Sequence, residues 1–320
     1  MNGKIHAVML AGGDGIRLLP LTRRLFGEER PKQFCPLFGK RSLLALTRHR
    51  VAPLVAPEKT LFVVVERHRR FYEAELADVS PSQIVVQPAS RGTSAAIVYS
   101  LLRISRTDPG ALVAFLPTDH YYADEEVFAL SLRHAFEIAR QQPEFLILLG
   151  ATPGITDTEY GWIEPGLCVK QSSTNPVFRV NRFREKPSPP VADELRGKGA
   201  LLNTFVMVAH AGTFLQLIAA ASPELIGAFT PLASDSVNET RTAERVYRAI
   251  DSDDFSHQVL SASADRLLVL QMCDAGWSDL GTEERVSAVM AREGLRAEPR
   301  TLGAFQIWLD AYRKRLENVY

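Results

Sequence analysis

The 320-residue chain balances 37 Lys and Arg against 37 Asp and Glu, and it is 46% hydrophobic and 23% charged. This excludes a global field that would draw it to nucleic acid or an anionic membrane, and it fits a globular protein. Its three cysteines, Cys35, Cys168 and Cys273, are widely spaced and odd in number. That excludes a disulfide framework or a CxxC zinc site and predicts a reducing, cytoplasmic setting.

The first element is an apolar run, Ile5 to Leu10, which reads as a buried strand stopping at glycines. The break at Gly12-Gly13 comes too soon for a signal peptide, and no later run approaches membrane-spanning length. Ser42 caps a predicted helix from Leu43 to about Val51. Further strands are predicted at Leu61–Val65, Ile84–Val86, Ala111–Leu116 and Phe145–Leu149. Helices alternate with them at His68–Val79, Thr93–Ile104 and Asp124–Gln141, the last with Val127, Leu130, His134 and Ile138 along one stripe. Apolar strands alternating with helices predict an α/β fold: a Rossmann-like three-layer sandwich with a mixed, mostly parallel central sheet.

After residue 150 the rhythm changes. Tyr160–Gly166 reads as a strand and turn, and Val177–Lys186 as a strand with one wet face. Leu201–Ala209 is a further strand, Phe214–Ile226 a helix, Leu232–Glu239 a polar loop and Thr242–Ile250 a helix. Leu267–Met272 is a last buried strand. Residues 1–285 are expected to form one unit of two halves, 1–150 and 151–285. Residues 286–320 are expected to form a short helical tail.

Residues suited to phosphate chemistry fall just beyond strand ends, where ligands sit in such sheets. After Leu10 comes Ala11-Gly12-Gly13-Asp14-Gly15, a loop nearly free of side chains. Its amides can approach an anion closely. Arg17 and Lys32 follow as fixed cations suited to a polyphosphate. Neither the P-loop pattern nor the third glycine of GxGxxG is present. Gln87, after the third strand, can read a base edge, Gly92 leaves room for a flat base, and Thr93 opens a helix. Asp119, after the fourth strand, can ligate Mg²⁺, and Asp279, after the last strand, is its candidate companion. Asn203 is a polar residue inside an apolar strand, able to bond a sugar hydroxyl. The histidines show no metal-ligand spacing.

These motifs taken together resemble the sugar-phosphate nucleotidylyltransferases. The match runs through Leu10-Ala11-Gly12-Gly13-Asp14-Gly15-Ile16-Arg17, Pro20-Leu21-Thr22 and Pro31-Lys32-Gln33-Phe34. It continues through Gln87-Pro88-Ala89-Ser90-Arg91-Gly92-Thr93, Pro117-Thr118-Asp119-His120, Tyr160-Gly161-Trp162-Ile163, Glu185-Lys186-Pro187, Asn203-Thr204 and Trp277-Ser278-Asp279-Leu280-Gly281. The Pro-Lys-Gln-Phe form is similar to mannose-1-phosphate guanylyltransferases, in a short form without an isomerase or β-helix domain. Ile16 stands where the family has Thr or Ser, Gly92 where most such members have Asn, and Leu202 where they have Trp. Asp254-Phe255 falls where the family often shows (I/F)D(Y/F).

The resemblance implies the nucleotide-diphospho-sugar transferase fold and Mg²⁺-dependent transfer from GTP to mannose 1-phosphate, giving GDP-mannose and pyrophosphate. It assigns Leu10, Ala11, Gly12, Gly13, Gly15, Arg17, Gln87, Arg91, Gly92 and Thr93 to the nucleotide. Gly161, Glu185, Lys186 and Asn203 go to the sugar phosphate, Asp119 and Asp279 to the metal, and Arg17, Lys32, Asp119, Lys186 and Asp279 to catalysis. Two alternatives stay open: glucose 1-phosphate with UTP or dTTP, and a catalytically silent regulatory protein that binds nucleotide sugars. The expected partners are small molecules, without nucleic acid or membrane, and a homodimer is left open.

Overall fold

The computed structural model describes residues 4–234 and 237–294. In chain order the elements are β1 (Ile5–Leu10), α1 (Leu19–Phe26), α2 (Leu43–Val51), β2 (Thr60–Val65), α3 (Arg69–Glu75) and β3 (Ile84–Gln87). Then come α4 (Gly92–Thr107), β4 (Leu112–Pro117), α5 (Glu125–Gln141), β5 (Leu146–Ala151), β6 (Gly161–Lys170) and β7 (Val177–Glu185). The chain continues through α6 (Pro189–Gly197), β8 (Leu201–His210), α7 (Ala211–Ala221), α8 (Pro223–Ser234), α9 (Glu239–Ala249), β9 (Leu267–Gln271) and α10 (Glu283–Arg292). Residues 295–320, on which most of the expected helical tail falls, lie outside the described residues.

The nine strands among the described residues join one sheet in the order β3-β2-β1-β4-β8-β5-β9-β7-β6. The run β3-β2-β1-β4 is parallel, as is the β5–β9 pair, and the remaining pairings are antiparallel. Both faces are covered. Val8, Val63, Val113 and Phe115 point to one face, where α4, α7, α8 and α9 pack. Ala7, Met9, Phe62, Val64 and Ala114 point to the other, against α2 and α5. Strands buried on both faces read as unbroken apolar runs, which is why periodicity located them.

The helix starts follow local chemistry. Ser42 Oγ accepts the Ala45 amide at 3.0 Å, and Asp124 Oδ1 accepts the Glu126 and Val127 amides at 3.0 and 2.9 Å. The apolar stripe of α5 differs from the expected one. Leu130 is 47% exposed, and Phe128, Leu132, Ala135 and Phe136 make the buried ridge, because the sheet meets the helix nearly one residue further round. The single helix expected at 214–226 is two. Ser222 ends α7 and Pro223, which has no N–H to donate, starts α8. That helix then runs through residues expected as loop, because Leu232 is fully buried in the core. α1 and α6 both start around prolines, at Pro20 and at Pro189-Pro190. Each supplies an N-terminal signal that periodicity misses.

Candidate active site

The carboxyl ends of β1, β3 and β4 deliver the glycine loop, Gln87 and Asp119 to one cleft of about 460 Å³. The loop after β1 is pinned from both sides. The Ala11 amide donates to the Val63 carbonyl at 2.8 Å, and Thr118 Oγ1 donates to the Leu10 carbonyl at 2.8 Å. Gln33 Nε2 donates to the carbonyls of Ala11 and Gly13, at 2.9 and 2.7 Å. With those carbonyls and the Ala11 amide occupied, the loop amides from Gly12 onward are the ones that can meet a ligand. Gly15 sits at φ 59°, and a Cβ at Gly12 would lie 2.7 Å from Gln87 Nε2. Both glycines are therefore required by conformation or space. Leu10, Gly12 and Gly13 line the cleft, whereas Ala11 is fully buried beneath it.

Lys32 is only 8% exposed. Its Nζ lies 3.3 Å from Asp119 Oδ2 and 2.5 Å from the Asp279 backbone carbonyl. The two aspartates, 160 positions apart in sequence, thus meet around one lysine and line the same cleft. Gly15, Arg17, Lys32 and Asp119 also border a smaller adjoining hollow of about 360 Å³. Arg17 lies on the rim, paired with Glu159 at 2.6 Å.

At the end of β3, Tyr247 Oη donates to Gln87 Oε1 at 3.1 Å, so the Gln87 NH₂ faces Gly12 and the cleft. Arg91 does not line the cleft, and its Nε donates to the Tyr247 carbonyl at 2.9 Å. Gly92 has φ +81°, and a Cβ there would lie 1.8 Å from the Asp253 carbonyl oxygen. The 251–254 segment therefore packs directly on bare backbone. The Asp253 carboxyl, raised by burial and partly offset by Ser94, lies at the first turn of α4.

On the other side, Gly161 pairs with Glu185 across β6 and β7. A Cβ at 161 would lie 2.8 Å from Glu185 Oε2. Burial, and then the nearby Asp254 charge, push the Glu185 carboxyl above its ordinary range. Lys186 Nζ is 3.8 Å from Glu185 and half exposed to the cleft. Asn203 Oδ1 accepts the Phe205 amide at 3.0 Å, at an irregularity in β8, leaving its NH₂ group for a ligand. Among the described residues the non-glycine positions with φ > 0 are Lys186, Phe205 and Leu280. Each is a cleft residue or adjoins one, which is where backbone strain gathers in functional sites.

Three further residues have no role assigned from the sequence, and Arg285 alone lies outside every motif singled out there. Tyr160 Oη donates to Asp279 Oδ1 at 2.8 Å, and Arg285 Nη1 reaches the two Asp279 oxygens at 2.8 and 2.9 Å. His120 Nδ1 accepts from Trp277 Nε1 at 3.2 Å, and its Nε2 faces Asp119 at 3.6 Å. Burial lowers the His120 pKa, and the nearby Asp119 charge partly offsets it. Burial raises the Asp279 pKa, but His120, Arg285 and Lys32 outweigh it and hold the carboxyl below its ordinary range. A carboxylate offers about four lone-pair sites. At Asp279, Oδ1 is used by Tyr160, Arg285 and the Gly281 amide, and Oδ2 by Arg285 alone. One site on Oδ2 and the Asp119 lone pairs not taken by Lys32 remain, a donor set that fits a hard cation completed by phosphate and water.

A mixed sheet covered on both faces, with a pinned glycine loop, a buried lysine and two carboxylates converging beyond its strands, defines an α/β protein with a cleft suited to phosphates. The chain belongs to the nucleotidyl transferase family, whose pattern matches residues 6–293. Members of this family generally use a divalent metal. The chain is 30% identical over 287 residues to a mannose-1-phosphate guanylyltransferase of Escherichia coli (strain K12), covering 87% of this chain and 58% of that one. It is 30% identical over 293 residues to the xanthan biosynthesis protein XanB of Xanthomonas campestris, covering 90% and 60%. It thus spans about three fifths of the length of these relatives. A crystal structure of a Thermus thermophilus protein, described as a mannose-1-phosphate geranyltransferase, superposes with TM-score 0.77 at 28% identity, covering 92% and 80%. The fold is that of the nucleotide-diphospho-sugar transferases. No helix among the described residues is long and apolar enough to cross a membrane.

Proposed function

We propose that the protein transfers a guanylyl group from GTP to mannose 1-phosphate, forming GDP-mannose and releasing pyrophosphate, with Mg²⁺ as the metal. The observation that carries this reading is the convergence of Lys32, Asp119 and Asp279 beside the glycine loop. The names of the relatives support the substrate pair. In this reading residues 1–150 hold the nucleotide and 151–285 the sugar phosphate, in the cytoplasm, in keeping with three free cysteines.

The attacking phosphate is already an anion, so no general base is needed. The obstacle is repulsion between two polyanions, and the chain's task is positioning and charge neutralisation. Arg17, Lys32 and the loop amides hold the β- and γ-phosphates as leaving group. Gln87 donates from its NH₂ to a base acceptor. Glu185 and Asn203 hold sugar hydroxyls, and Lys186 holds the attacking phosphate. A Mg²⁺ ion on Asp119 and Asp279 would supply charge neutralisation between the attacking phosphate and the α-phosphorus.

The test is pyrophosphate release measured with four nucleoside triphosphates against several hexose 1-phosphates, with Mg²⁺ and with EDTA. Fastest release with GTP and mannose 1-phosphate, abolished by EDTA, is expected. Gly92, its contact with Asp253, and Leu202 beneath the sugar side favour a second reading with glucose 1-phosphate and UTP or dTTP. The same panel separates the two. Silence across the whole panel would point to a regulatory nucleotide-sugar binder.

A further inference from the structure

Asp279 is held from outside the cleft as well as from within it. Arg285, on the first turn of α10, places Nη1 2.8 Å and 2.9 Å from the two Asp279 oxygens, and its Nη2 bonds Asp157. Its guanidinium carbon lies 4.5 Å from the centre of the Tyr160 ring, whose hydroxyl bonds the same aspartate. Asp157 is itself anchored, its carbonyl accepting Nε1 of the fully buried Trp162 at 2.9 Å. Gly281 leaves room for the pair, since a Cβ there would lie 2.5 Å from Asp279 Oδ2 and 2.9 Å from Arg285 Nη1. Arg285 lines a separate cavity of about 640 Å³ behind Tyr160 and Trp277 rather than the cleft. It therefore does not meet whatever the cleft holds.

The other candidate metal ligand is neutralised too, since Lys32 lies 3.3 Å from Asp119. Each carboxylate thus has its own fixed cation before any ligand arrives. Among the described residues no group of three or more His, Cys, Asp or Glu gathers to hold a metal. We infer that Arg285 is a positioning residue that fixes Asp279 with one Oδ2 lone pair toward the cleft and keeps its charge compensated, so that a divalent ion is retained only with phosphate oxygens brought by the nucleotide. The inference rests on the nucleotidyl-transfer reading of the cleft. A fork donating to both oxygens fixes a carboxylate in a way an ammonium cannot.

The test uses the full chain and Mn²⁺ as probe, with free Mn²⁺ followed by its paramagnetic resonance signal. Wild type is expected to bind Mn²⁺ weakly alone and far more tightly once GTP is added. Arg285→Gln removes the compensating charge and the fork. It should tighten nucleotide-free Mn²⁺ binding about tenfold, while kcat falls about tenfold or more at nearly unchanged KM for GTP, in the range seen when groups behind metal ligands are altered. Arg285→Lys keeps the charge, so Mn²⁺ binding should stay weak while kcat still falls several-fold. Unchanged Mn²⁺ affinity in a folded Arg285→Gln protein overturns the inference. If that variant does not fold, Arg285→Lys decides, and undiminished turnover overturns it. No pyrophosphate release from wild type, with Mn²⁺ binding still tightened by Arg285→Gln, would reject the proposed function and leave the clamp on Asp279 supported.

Discussion

Lys32 and Asp119 form an ion pair at 3.3 Å, and the same ammonium reaches the backbone carbonyl of Asp279. One buried cation therefore ties the ends of β4 and β9 to the start of the chain. Lys32→Ala is predicted to lower turnover by roughly 10²–10³, the scale of a lost electrostatic donor. It should also cost stability, about 1–3 kcal/mol, because the partners lose a fixed donor. Pyrophosphate release and a urea unfolding curve measure the two effects, and undiminished turnover would remove Lys32 from the machinery.

Gly92 is predicted to tolerate no side chain. Its φ of +81° and the 1.8 Å approach of the Asp253 carbonyl leave no place for a Cβ. Gly92→Ala should displace the 251–254 segment, raise KM for nucleotide at least tenfold and destabilise the fold by about 2 kcal/mol or more. A melting curve with and without GTP reads both. Wild-type affinity would mean the segment moves freely from the base side.

Tyr247 is predicted to set which end of the Gln87 amide faces the cleft, through the 3.1 Å bond from its hydroxyl. Tyr247→Phe leaves a buried acceptor unpaired, at a cost of about 1–3 kcal/mol. It also frees the amide to turn, so discrimination between nucleotides should narrow more than turnover falls. Ratios of kcat/KM for GTP and UTP test this, and an unchanged ratio counts against it.

The raised pKa of Glu185 gives a stability prediction with a defined sign. Burial and Asp254 raise its folded value above the ordinary 4.5, so the folded state holds this proton more tightly than the unfolded chain. Its favourable contribution is fully present below about pH 4.5 and is lost as pH rises through the folded value. Glu185→Gln should therefore raise Tm relative to wild type at pH 7, with the gain shrinking toward pH 4, while sugar-phosphate binding weakens. An equal Tm difference at both pH values would contradict the assignment.

Much of this site is legible in the sequence. The glycine loop and Asp119 directly follow apolar strands, and Asp279 lies on the segment after the last one. Strand ends in parallel sheets converge, so local pattern locates these distant partners. Lys32, beyond α1, is legible from its motif alone. Arg285 and Tyr247 are not legible. Each sits on a helix whose pattern reports only its buried face, and their roles arise from meeting Asp279 and Gln87 in space. The Arg91 contact is not legible either, because a basic residue inside a phosphate-like motif gives no sign that a backbone carbonyl on another helix takes its Nε. Leu130 misleads because a helical stripe can rotate by one residue without altering its period.

The central position of β8 has a consequence for biosynthesis. It inserts between β4 and β5, so the β3-β2-β1-β4 part of the sheet has an open flank until His210 has left the ribosome. At ordinary translation speed the nascent chain waits on the order of 5–20 s between Pro117 and His210 with β4 uncovered, a window in which a chaperone would have its target.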